Sequence, residues 1–256
     1  MTQTALVTGA ASGMGRIVAQ RLAAAGHRVA ALDIDPEGLR VTADRSPNTH
    51  TYLCDVSDPE QVRAVVDKVR GELGTIDRLV HAAGMAHVHA SALNHDVAQI
   101  KKMIDVNYIG TVNLCQAVIP AMKQAGTGTV VLFASVAGWL PSPGMAGYSA
   151  SKFAVIGFIE SLSYELRDSG VRLLGLCPPV VETAFLDKVR AENESVLGGA
   201  SGMSPESVVD ALERALAKPA NPLFVFPGQA YPTYLVRRFA PGFLRRVVAR
   251  MVKPTE

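Results

Sequence analysis

Short apolar runs alternate along the chain with longer segments in which apolar residues recur at helical spacing. The runs are rich in Val, Leu and Phe and are bounded by Gly, Asp or Pro, as buried strands are. They comprise residues 4–8, 28–33, 49–54, 76–84, 128–135, 171–178 and 222–227. Strands that alternate with crossover helices form a parallel sheet covered on both faces, and such sheets bind ligands beyond the carboxyl ends of their strands. The pattern therefore predicts an α/β fold, a doubly wound parallel sheet of about seven strands.

No Pro/Gly/Ser-rich linker and no internal repeat divides the 256 residues, of which 48% are hydrophobic. That apolar fraction is enough to bury a sizeable core. We therefore expect one folded domain over residues 1–230, followed by a tail over residues 231–256. The least regular stretch, residues 184–205, contains the run GGASG and is expected to act as a mobile lid.

The tail carries the basic character of the chain. Residues 231–256 contain 6 Lys and Arg against 1 acidic residue, whereas residues 1–230 contain 19 against 22. Helical spacing places Phe243, Leu244, Val247, Val248, Met251 and Val252 on one stripe and Arg245, Arg246, Arg250 and Lys253 on the other. Such a helix can lie on an anionic membrane, cover a neighbouring subunit or cover the substrate cleft.

Several protein classes do not fit this sequence. No signal-like segment precedes the first strand and no apolar run is long enough to span a bilayer, so we expect a cytoplasmic protein, peripheral to a membrane at most. The body lacks the basic face with aromatics that is typical of nucleic-acid binding. Three cysteines at no metal-ligand spacing are expected to be reduced core thiols. His87, His89 and His95 lack a carboxylate at ligand spacing, so no metal site is expected.

A glycine-rich turn follows the first strand. The segment TGAASGMG has glycines at positions 9, 13 and 15 and opens a helix. Glycines let the backbone approach a pyrophosphate, and a helix N-terminus offers unpaired N–H groups with a partial positive charge. Asp33, at the end of the second strand, can accept hydrogen bonds from an adenosine ribose and repels a 2′-phosphate. Only Arg16 could neutralise that phosphate, so NAD is favoured over NADP.

A tyrosine and a lysine lie one helical turn apart in the segment YSASK, residues 148–152. A free phenol, with a pKa near 10, is a poor base at neutral pH. Residues i and i+4 share a helix face, so Lys152 lies beside Tyr148, and two charges ~4 Å apart interact by roughly 4 kcal/mol. This interaction predicts that Lys152 lowers the pKa of Tyr148 towards neutrality. Ser135 ends the fifth strand and could bind a substrate oxygen together with Tyr148.

As a set, these motifs resemble the short-chain dehydrogenase/reductase family over residues 1–227. The segments TGAASGMG, CDV, HAAG, VNYIG and YSASK, with Asp33 and Ser135, occur in the order and at the spacing of that family. The resemblance implies a Rossmann-like fold, hydride transfer between a secondary alcohol or ketone and a nicotinamide, and a homodimer or homotetramer. It makes residues 1–230 the dinucleotide-binding and catalytic domain.

The resemblance also implies roles for individual residues. Tyr148 is the acid/base, Ser135 orients the substrate oxygen, Lys152 holds the nicotinamide ribose, and Asn107 orders a water in a proton relay. The implied cofactor-binding residues are Gly9, Ser12, Gly13, Met14, Gly15, Asp33, Asp55, Val56, Ala83, Gly84, Tyr148, Lys152, Pro178, Val181 and Thr183. The chain departs from the family pattern at His81, usually asparagine, and at Pro179, usually glycine. The second change puts the contacts of the cofactor carboxamide in doubt.

The substrate is expected to be apolar. Residues 136–151 contain no charged residue, and Trp139, Leu140, Met145 and Phe185 are the expected pocket residues. A charged substrate would find little to pair with there, so we expect a steroid, a retinoid or a fatty alcohol or ketone.

Three alternative functions fit the sequence less well. A serine hydrolase needs Gly-x-Ser-x-Gly, and Ser151 stands where the second glycine would be. Epimerases and dehydratases of this family would be expected to have longer chains and a different spacing of the glycines in the cofactor loop. A non-catalytic dinucleotide sensor on the same fold stays open, although the intact Ser, Tyr and Lys set disfavours it.

Overall fold

The computed structural model describes residues 2–87, 91–141, 144–183, 186–187, 191, 202–218, 222–228 and 230–251. The strands are β1 (Thr4–Thr8), β2 (Arg28–Asp33), β3 (Thr49–Leu53), β4 (Arg78–His81), β5 (Gly128–Phe133), β6 (Val171–Leu176) and β7 (Phe224–Val225). The helices are α1 (Gly13–Ala24), α2 (Pro36–Ala43), α3 (Pro59–Leu73), α4 (Val97–Ile104), α5 (Gly110–Ala125), α6 (Ala146–Glu165), α7 (Pro205–Leu216), α8 (Ala230–Phe239) and α9 (Pro241–Met251).

The seven strands form one parallel sheet in the order β3-β2-β1-β4-β5-β6-β7. The chain therefore winds outward from β1 in both directions, which confirms the predicted doubly wound fold. The order reverses between β1 and β4, and ligands of such sheets bind at this point.

Alternate strand residues serve the two faces of the sheet. Leu6, Leu79 and Leu132 join the apolar core beneath α3, α5 and α6, whereas Val7, Val80 and Val131 join the core beneath α1 and α7. Because side chains alternate across a strand, a parallel sheet with two covered faces needs the continuous apolar runs that the sequence has.

Local sequence signals set where three of the helices begin. Asp35 and Asp58 accept backbone N–H bonds at the N-termini of α2 and α3, and Ser204 does so for α7. Proline follows each of these residues, in the first helical position where no N–H is needed.

Five predicted strands are longer than the observed ones, and two of them exceed the observed length by four residues or more. Residues 76–84 were expected where β4 spans Arg78–His81, and residues 222–227 where β7 spans only Phe224–Val225. The apolar character continues because Ile76 is buried and Phe226 packs against the core, but strand pairing ends earlier. The predicted lid, residues 184–205, lies mostly outside the described residues; of its end, Met203 pairs with Val181 and Ser204 caps α7.

The described cysteines Cys54, Cys115 and Cys177 are all buried and free of disulfides. Burial raises the pKa of the Cys115 thiol to about 12. None of the described helices is both long and apolar enough to cross a membrane.

A histidine is buried at the end of β4. The Nδ1 atom of His81 lies 2.7 Å from Thr8 Oγ1, which joins β1 to β4, and among the described residues Nε2 has no hydrogen-bond partner. Burial, with Lys152 nearby, lowers the pKa of His81 from 6.5 to about 3. The imidazole is therefore neutral in the folded protein at all ordinary pH values.

This buried imidazole makes the protein acid-sensitive. Between pH 6.5 and about 3 the unfolded chain protonates His81 and the folded chain does not. Stability that is fully present above pH 6.5 is therefore lost at about 1.4 kcal/mol per pH unit as the pH falls. Urea unfolding at several pH values should show a smaller acid loss in His81→Asn than in wild type. The exposed His50 is the control, and a wild-type slope is expected for His50→Asn; equal slopes in all three proteins would contradict the prediction.

Candidate cofactor and active site

The loop between β1 and α1 is shaped by two glycines. Gly9 has φ +66°, and a Cβ there would lie 2.7 Å from the backbone nitrogen of Ala83. A Cβ at Gly15 would lie 2.1 Å from the carbonyl oxygen of Gly9. Only glycine therefore lets this loop lie against both the segment after β4 and the first turn of α1.

The N-terminus of α1 is suited to an anion. Its N-cap residue, Ser12, is extended and makes no side-chain capping bond, and the first turn contains no acidic residue. Thr183, which follows β6, reaches over this end, because a Cβ at Gly13 would lie 3.5 Å from its Cγ2. The N–H groups and the partial positive charge of α1 thus fit the pyrophosphate of a dinucleotide.

Asp33 ties the end of β2 to this loop. Its Oδ2 accepts the N–H of Ala11 at 3.0 Å, and its Oδ1 accepts the N–H groups of Ile34 at 2.7 Å and Asp35 at 3.2 Å. Backbone donors therefore hold the carboxylate at the carboxyl edge of the sheet, beside the glycine loop.

Arg16 is held within the fold. Its guanidinium donates to the carbonyl oxygen of Ala11, to Thr42 Oγ1 at 3.1 Å and to the carbonyl oxygen of Gly38 at 3.4 Å. The side chain therefore braces the loop against α2. Its Nε and one of its two terminal nitrogens therefore donate to protein acceptors.

The remaining expected cofactor residues lie around the same edge. Asp55 accepts the N–H and the hydroxyl of Ser57 at 2.9 and 2.6 Å, so it also forms the turn before α3. The carbonyl oxygen of Pro178 accepts the N–H of Val136 at 3.0 Å. Val56 is buried, and Met14 packs against the core beneath α1.

Lys152 is buried on the second turn of α6. Its Nζ donates to the carbonyl oxygen of Phe133, the last residue of β5, at 2.8 Å. Burial lowers the pKa of Lys152 to about 8, and the nearby Cys177 opposes that effect. Nζ lies 5.9 Å from the centre of the Tyr148 ring, so helical spacing places the pair side by side as predicted.

Tyr148 and Ser135 are joined by a hydrogen bond. Burial raises the pKa of Tyr148, and the bond with Ser135 lowers it by a smaller amount. The expectation that Lys152 brings this pKa towards neutrality is therefore wrong for the protein chain by itself. The physical reason is that the lysine is itself desolvated and directs its ammonium group to Phe133.

Asn107 lies in a single wide turn of π-helix between α4 and α5. Its Nδ2 donates to the carbonyl oxygen of Met85 and to Ser151 Oγ, both at 2.9 Å, and its Oδ1 accepts the N–H of Met85 at 2.8 Å. The amide thus joins the segment after β4 to α6. A Cβ at Gly84 would lie 3.1 Å from Asn107 Oδ1 and 3.6 Å from Lys152 Nζ, so this glycine adjoins both residues.

The wall beside Tyr148 is built from methionines. Met103 and Met145 are buried against Tyr148, and Met85, Ile100 and Ala137 pack on them. Met145 was expected here, whereas Met85 and Met103 were not. Two signals could have found them: Met85 directly follows HAAG, and Ile100 and Met103 share a face of α4.

Trp139, one of the expected pocket residues, joins the loop after β5 to the C-terminal part of the chain. Its ring packs against Phe224 of β7 and Tyr234 of α8, with ring centres 5.2 and 4.8 Å away, and its Nε1 donates to Cys177 Sγ at 3.4 Å. The indole therefore packs against the C-terminal part of the chain, because β7 and α8 bring an aromatic surface that local sequence does not reveal. Leu140 is half-buried just after it, and Phe185 lies outside the described residues.

The two described histidines in the loop after β4, His87 and His95, have different surroundings. His95 is buried, and the backbone N–H of His87 points at Met103 Sδ at 3.2 Å. His89 lies outside the described residues. Across the described part of the chain, no group of three His, Cys, Asp or Glu side chains is arranged to hold a metal ion.

Comparisons with known proteins agree with this geometry. The sequence model of the family described as short chain dehydrogenase matches residues 3–194. The 2-dehydro-3-deoxy-L-rhamnonate dehydrogenase (NAD(+)) of Sphingomonas sp. (strain SKA58) is 37% identical over 185 residues, 72% of this chain and 74% of that protein. Estradiol 17-beta-dehydrogenase 11 of Homo sapiens is 32% identical over 246 residues, 93% of this chain and 80% of that protein.

Solved structures share the architecture as well. A short chain dehydrogenase from Burkholderia cenocepacia J2315 in complex with NADP superposes with a TM-score of 0.83 at 27% identity, covering 99% of this chain and 98% of the other. Family match, relatives and fold lead to one conclusion. The chain belongs to the short chain dehydrogenase family, a family of oxidoreductases that act on CH–OH groups with a nicotinamide dinucleotide.

Proposed function

We propose that this protein is an NAD(H)-dependent dehydrogenase that interconverts an apolar secondary alcohol and its ketone. The observation that carries the proposal is the arrangement of three side chains at the carboxyl edge of the sheet. Tyr148 is hydrogen-bonded to Ser135, and Lys152 lies one turn further along α6 with its ammonium group held by Phe133. Lys152 Nζ also adjoins Gly84, and the neighbouring Ala83 lies against Gly9 of the glycine loop.

The protein residues have distinct tasks in this reaction. A nicotinamide dinucleotide held by the glycine loop and Lys152 would supply the hydride acceptor or donor. Tyr148 takes the hydroxyl proton of the alcohol during oxidation and donates it to the carbonyl oxygen during reduction, and Ser135 holds that oxygen in place. Asn107 keeps the segment after β4 against α6, since its amide bonds to Met85 and Ser151.

Lys152 has a double task in the proposal. It holds the ribose of the nicotinamide and provides positive charge beside the phenol. In the protein chain alone, burial raises the pKa of Tyr148 and lowers that of Lys152 to about 8. The positive ring of an oxidised nicotinamide stabilises a phenolate, so we infer that cofactor binding is needed before Tyr148 can act as a base.

The choice of NAD is supported by the charges around the end of β2. Asp33, Asp35 and Glu37 surround the expected site of the adenosine ribose, and a 2′-phosphate would be repelled there. Arg16 donates to protein acceptors, and Arg40 pairs with Glu37 at 2.6 Å. One relative is named as an NAD(+) enzyme, whereas the Burkholderia structure holds NADP. The local charges of this chain favour NAD.

The methionine wall supports an apolar substrate. Met85, Met103 and Met145 are flexible apolar side chains that can adapt their shape to an apolar ligand, and Ile100 and Ala137 pack on the same cluster. The names of the relatives include both a sugar-acid derivative and estradiol. The apolar side chains beside Tyr148 match the polarity of a steroid such as estradiol better than that of a sugar-acid derivative.

We also propose that residues 1–230 form the catalytic domain and that the enzyme is a cytoplasmic homodimer or homotetramer. Phe153 leaves apolar surface exposed on α6, which fits a contact between subunits. The tail, residues 231–256, starts within the first turn of α8, and Tyr234 packs it against Trp139.

Replacing Tyr148 with Phe removes the group that exchanges the proton. We expect kcat to fall roughly 10²–10⁴-fold while NAD binding, measured by calorimetry, is retained. Tyr164→Phe is the matched control, because Tyr164 lies on the same helix but is exposed. Unchanged turnover in Tyr148→Phe would refute the assignment.

Replacing Asp33 with Ser removes a charged acceptor for the ribose. We expect the ratio of kcat/KM for NAD to that for NADP to fall roughly 10–100-fold. Ile34 is 71% exposed, and changing it to Arg in the Asp33→Ser background should lower the ratio further. Asp67→Ser, an exposed acid on α3, should keep the wild-type ratio. A wild-type preference for NADP would contradict the proposal.

The apolar wall predicts how rate depends on substrate. Along a series of 2-alkanols, kcat/KM should rise about threefold per added CH₂ until the pocket is filled. Met145→Gln, which keeps the size but adds a polar amide, should flatten this dependence without changing the KM for NAD. Steady-state assays of reduced nicotinamide absorbance measure both. Faster turnover of polyols or oxoacids than of any long-chain alcohol would exclude the apolar class.

A further inference from the structure

The last two helices, α8 and α9, form a surface with one sign of charge. Residues 230–251 contain five arginines and no acidic residue. The two helices pack against each other, and the junction between them is short, Ala240 followed by Pro241. We refer to the outward-facing side chains of this pair as the tail surface: Val236, Arg238, Phe239, Phe243 and Arg246.

The inner side of α8 is anchored to the catalytic domain by aromatic rings. Tyr234 stacks on Phe226, with centres 4.8 Å apart, and meets Trp139 at the same distance. Tyr231 lies 5.8 Å from Phe226. The hydroxyl of Tyr234 accepts a hydrogen bond from Arg238 at 3.1 Å. These contacts fix which side of α8 faces away from the protein.

The tail surface exposes large apolar side chains next to arginines. Phe239 is 77% exposed and Phe243 is 62% exposed, and both flank the junction of the helices. Arg238 and Arg246 are exposed beside them. Single exposed apolar residues are ordinary, but two exposed phenylalanines at one corner with cations around them are typical of segments that enter a membrane interface.

A groove next to α8 continues the positive charge. It lies between α7, β7 and the first turn of α8 and has a volume of about 460 Å³. Arg214 and Lys218 line it together with Phe224 and Tyr231, and its lining contains no acidic residue. The groove therefore adds cations and aromatic rings where the start of α8 meets the catalytic domain.

We propose that the tail surface docks the enzyme on the surface of an anionic lipid bilayer. Phe239 and Phe243 enter the boundary between headgroups and acyl chains, and Arg238 and Arg246 face the anionic headgroups. A second copy of the chain is a poorer occupant. A two-fold interface would bring the same arginines face to face without any acidic partner in residues 230–251.

Docking has a consequence for the active site. Tyr234 contacts Trp139, which lies four residues after Ser135 in the chain. Membrane contact through α8 therefore places the loop beside the active site near the lipid, where an apolar substrate dissolves. This consequence rests on the proposed function, whereas the docking itself does not.

The test uses the full chain and lipid vesicles, without substrate or dinucleotide. Vesicles of phosphatidylcholine alone are compared with vesicles of phosphatidylcholine and phosphatidylglycerol in a sedimentation assay. We expect binding to the anionic vesicles only, weakening as salt is added. Arg246→Gln should lower the partition coefficient about fivefold, since each cation near the surface contributes that factor. The variant Phe239→Ser/Phe243→Ser should abolish binding.

Matched controls separate the tail surface from general surface chemistry. Arg63→Gln removes an exposed arginine from α3, and Leu93→Ser/Tyr164→Ser removes two exposed apolar side chains elsewhere; both should bind as wild type does. Thermal unfolding of every variant confirms that it is folded, so the result does not depend on turnover.

Three outcomes would overturn the proposal. They are the absence of binding to anionic vesicles, equal binding to both kinds of vesicle, and equal losses in the tail and control variants. A fourth outcome that would overturn it comes from sedimentation equilibrium. If Phe239→Ser/Phe243→Ser halves the mass of the assembly while wild type binds no vesicles, a second copy covers this surface. Failure to find a turned-over alcohol would leave the vesicle result intact and would count against the proposed function alone.

Discussion

The hydrogen bond from Lys152 to the carbonyl oxygen of Phe133 is the contact on which the proposed site depends. It crosses from the second turn of α6 to the end of β5 at 2.8 Å and is buried. Desolvating an ammonium group is costly, and the chain accepts this cost at the sheet edge where the glycine loop also lies. The bond fixes α6 relative to β5, so Tyr148 on the helix meets Ser135 just after the strand.

The same burial shifts several groups in the direction of their neutral forms. It raises the pKa of Tyr148 and lowers those of Lys152 and His81 to about 8 and about 3. For Tyr148 to act as a base, its pKa must instead be lowered. Under the proposed function the protein supplies the geometry, and the positive ring of an oxidised nicotinamide would supply part of the electrostatics. Coupling of this kind would keep the phenol inert until cofactor is present.

Aromatic packing joins the middle of the chain to its C-terminal helices. Trp139 continues the loop that begins at Ser135, and Tyr234 of α8 packs on it. Trp139, which is expected to contact substrate, thus also links the active-site loop to the C-terminal helices. Methionines from three separate segments, Met85, Met103 and Met145, form the apolar wall beside Tyr148. An adaptable wall and a tail anchored nearby suit an enzyme whose substrates are apolar.

The sequence by itself determined the doubly wound sheet, the helix starts at Asp35, Asp58 and Ser204, and the glycine loop, because strand alternation, capping and close backbone approach are local properties. It also placed Lys152 beside Tyr148, since helical spacing alone does so. Only the tertiary structure decided the direction of the tyrosine pKa and the partners of Trp139, Arg16 and Met103. Desolvation and packing depend on which distant segments cover a side chain, and no local pattern in the sequence records that.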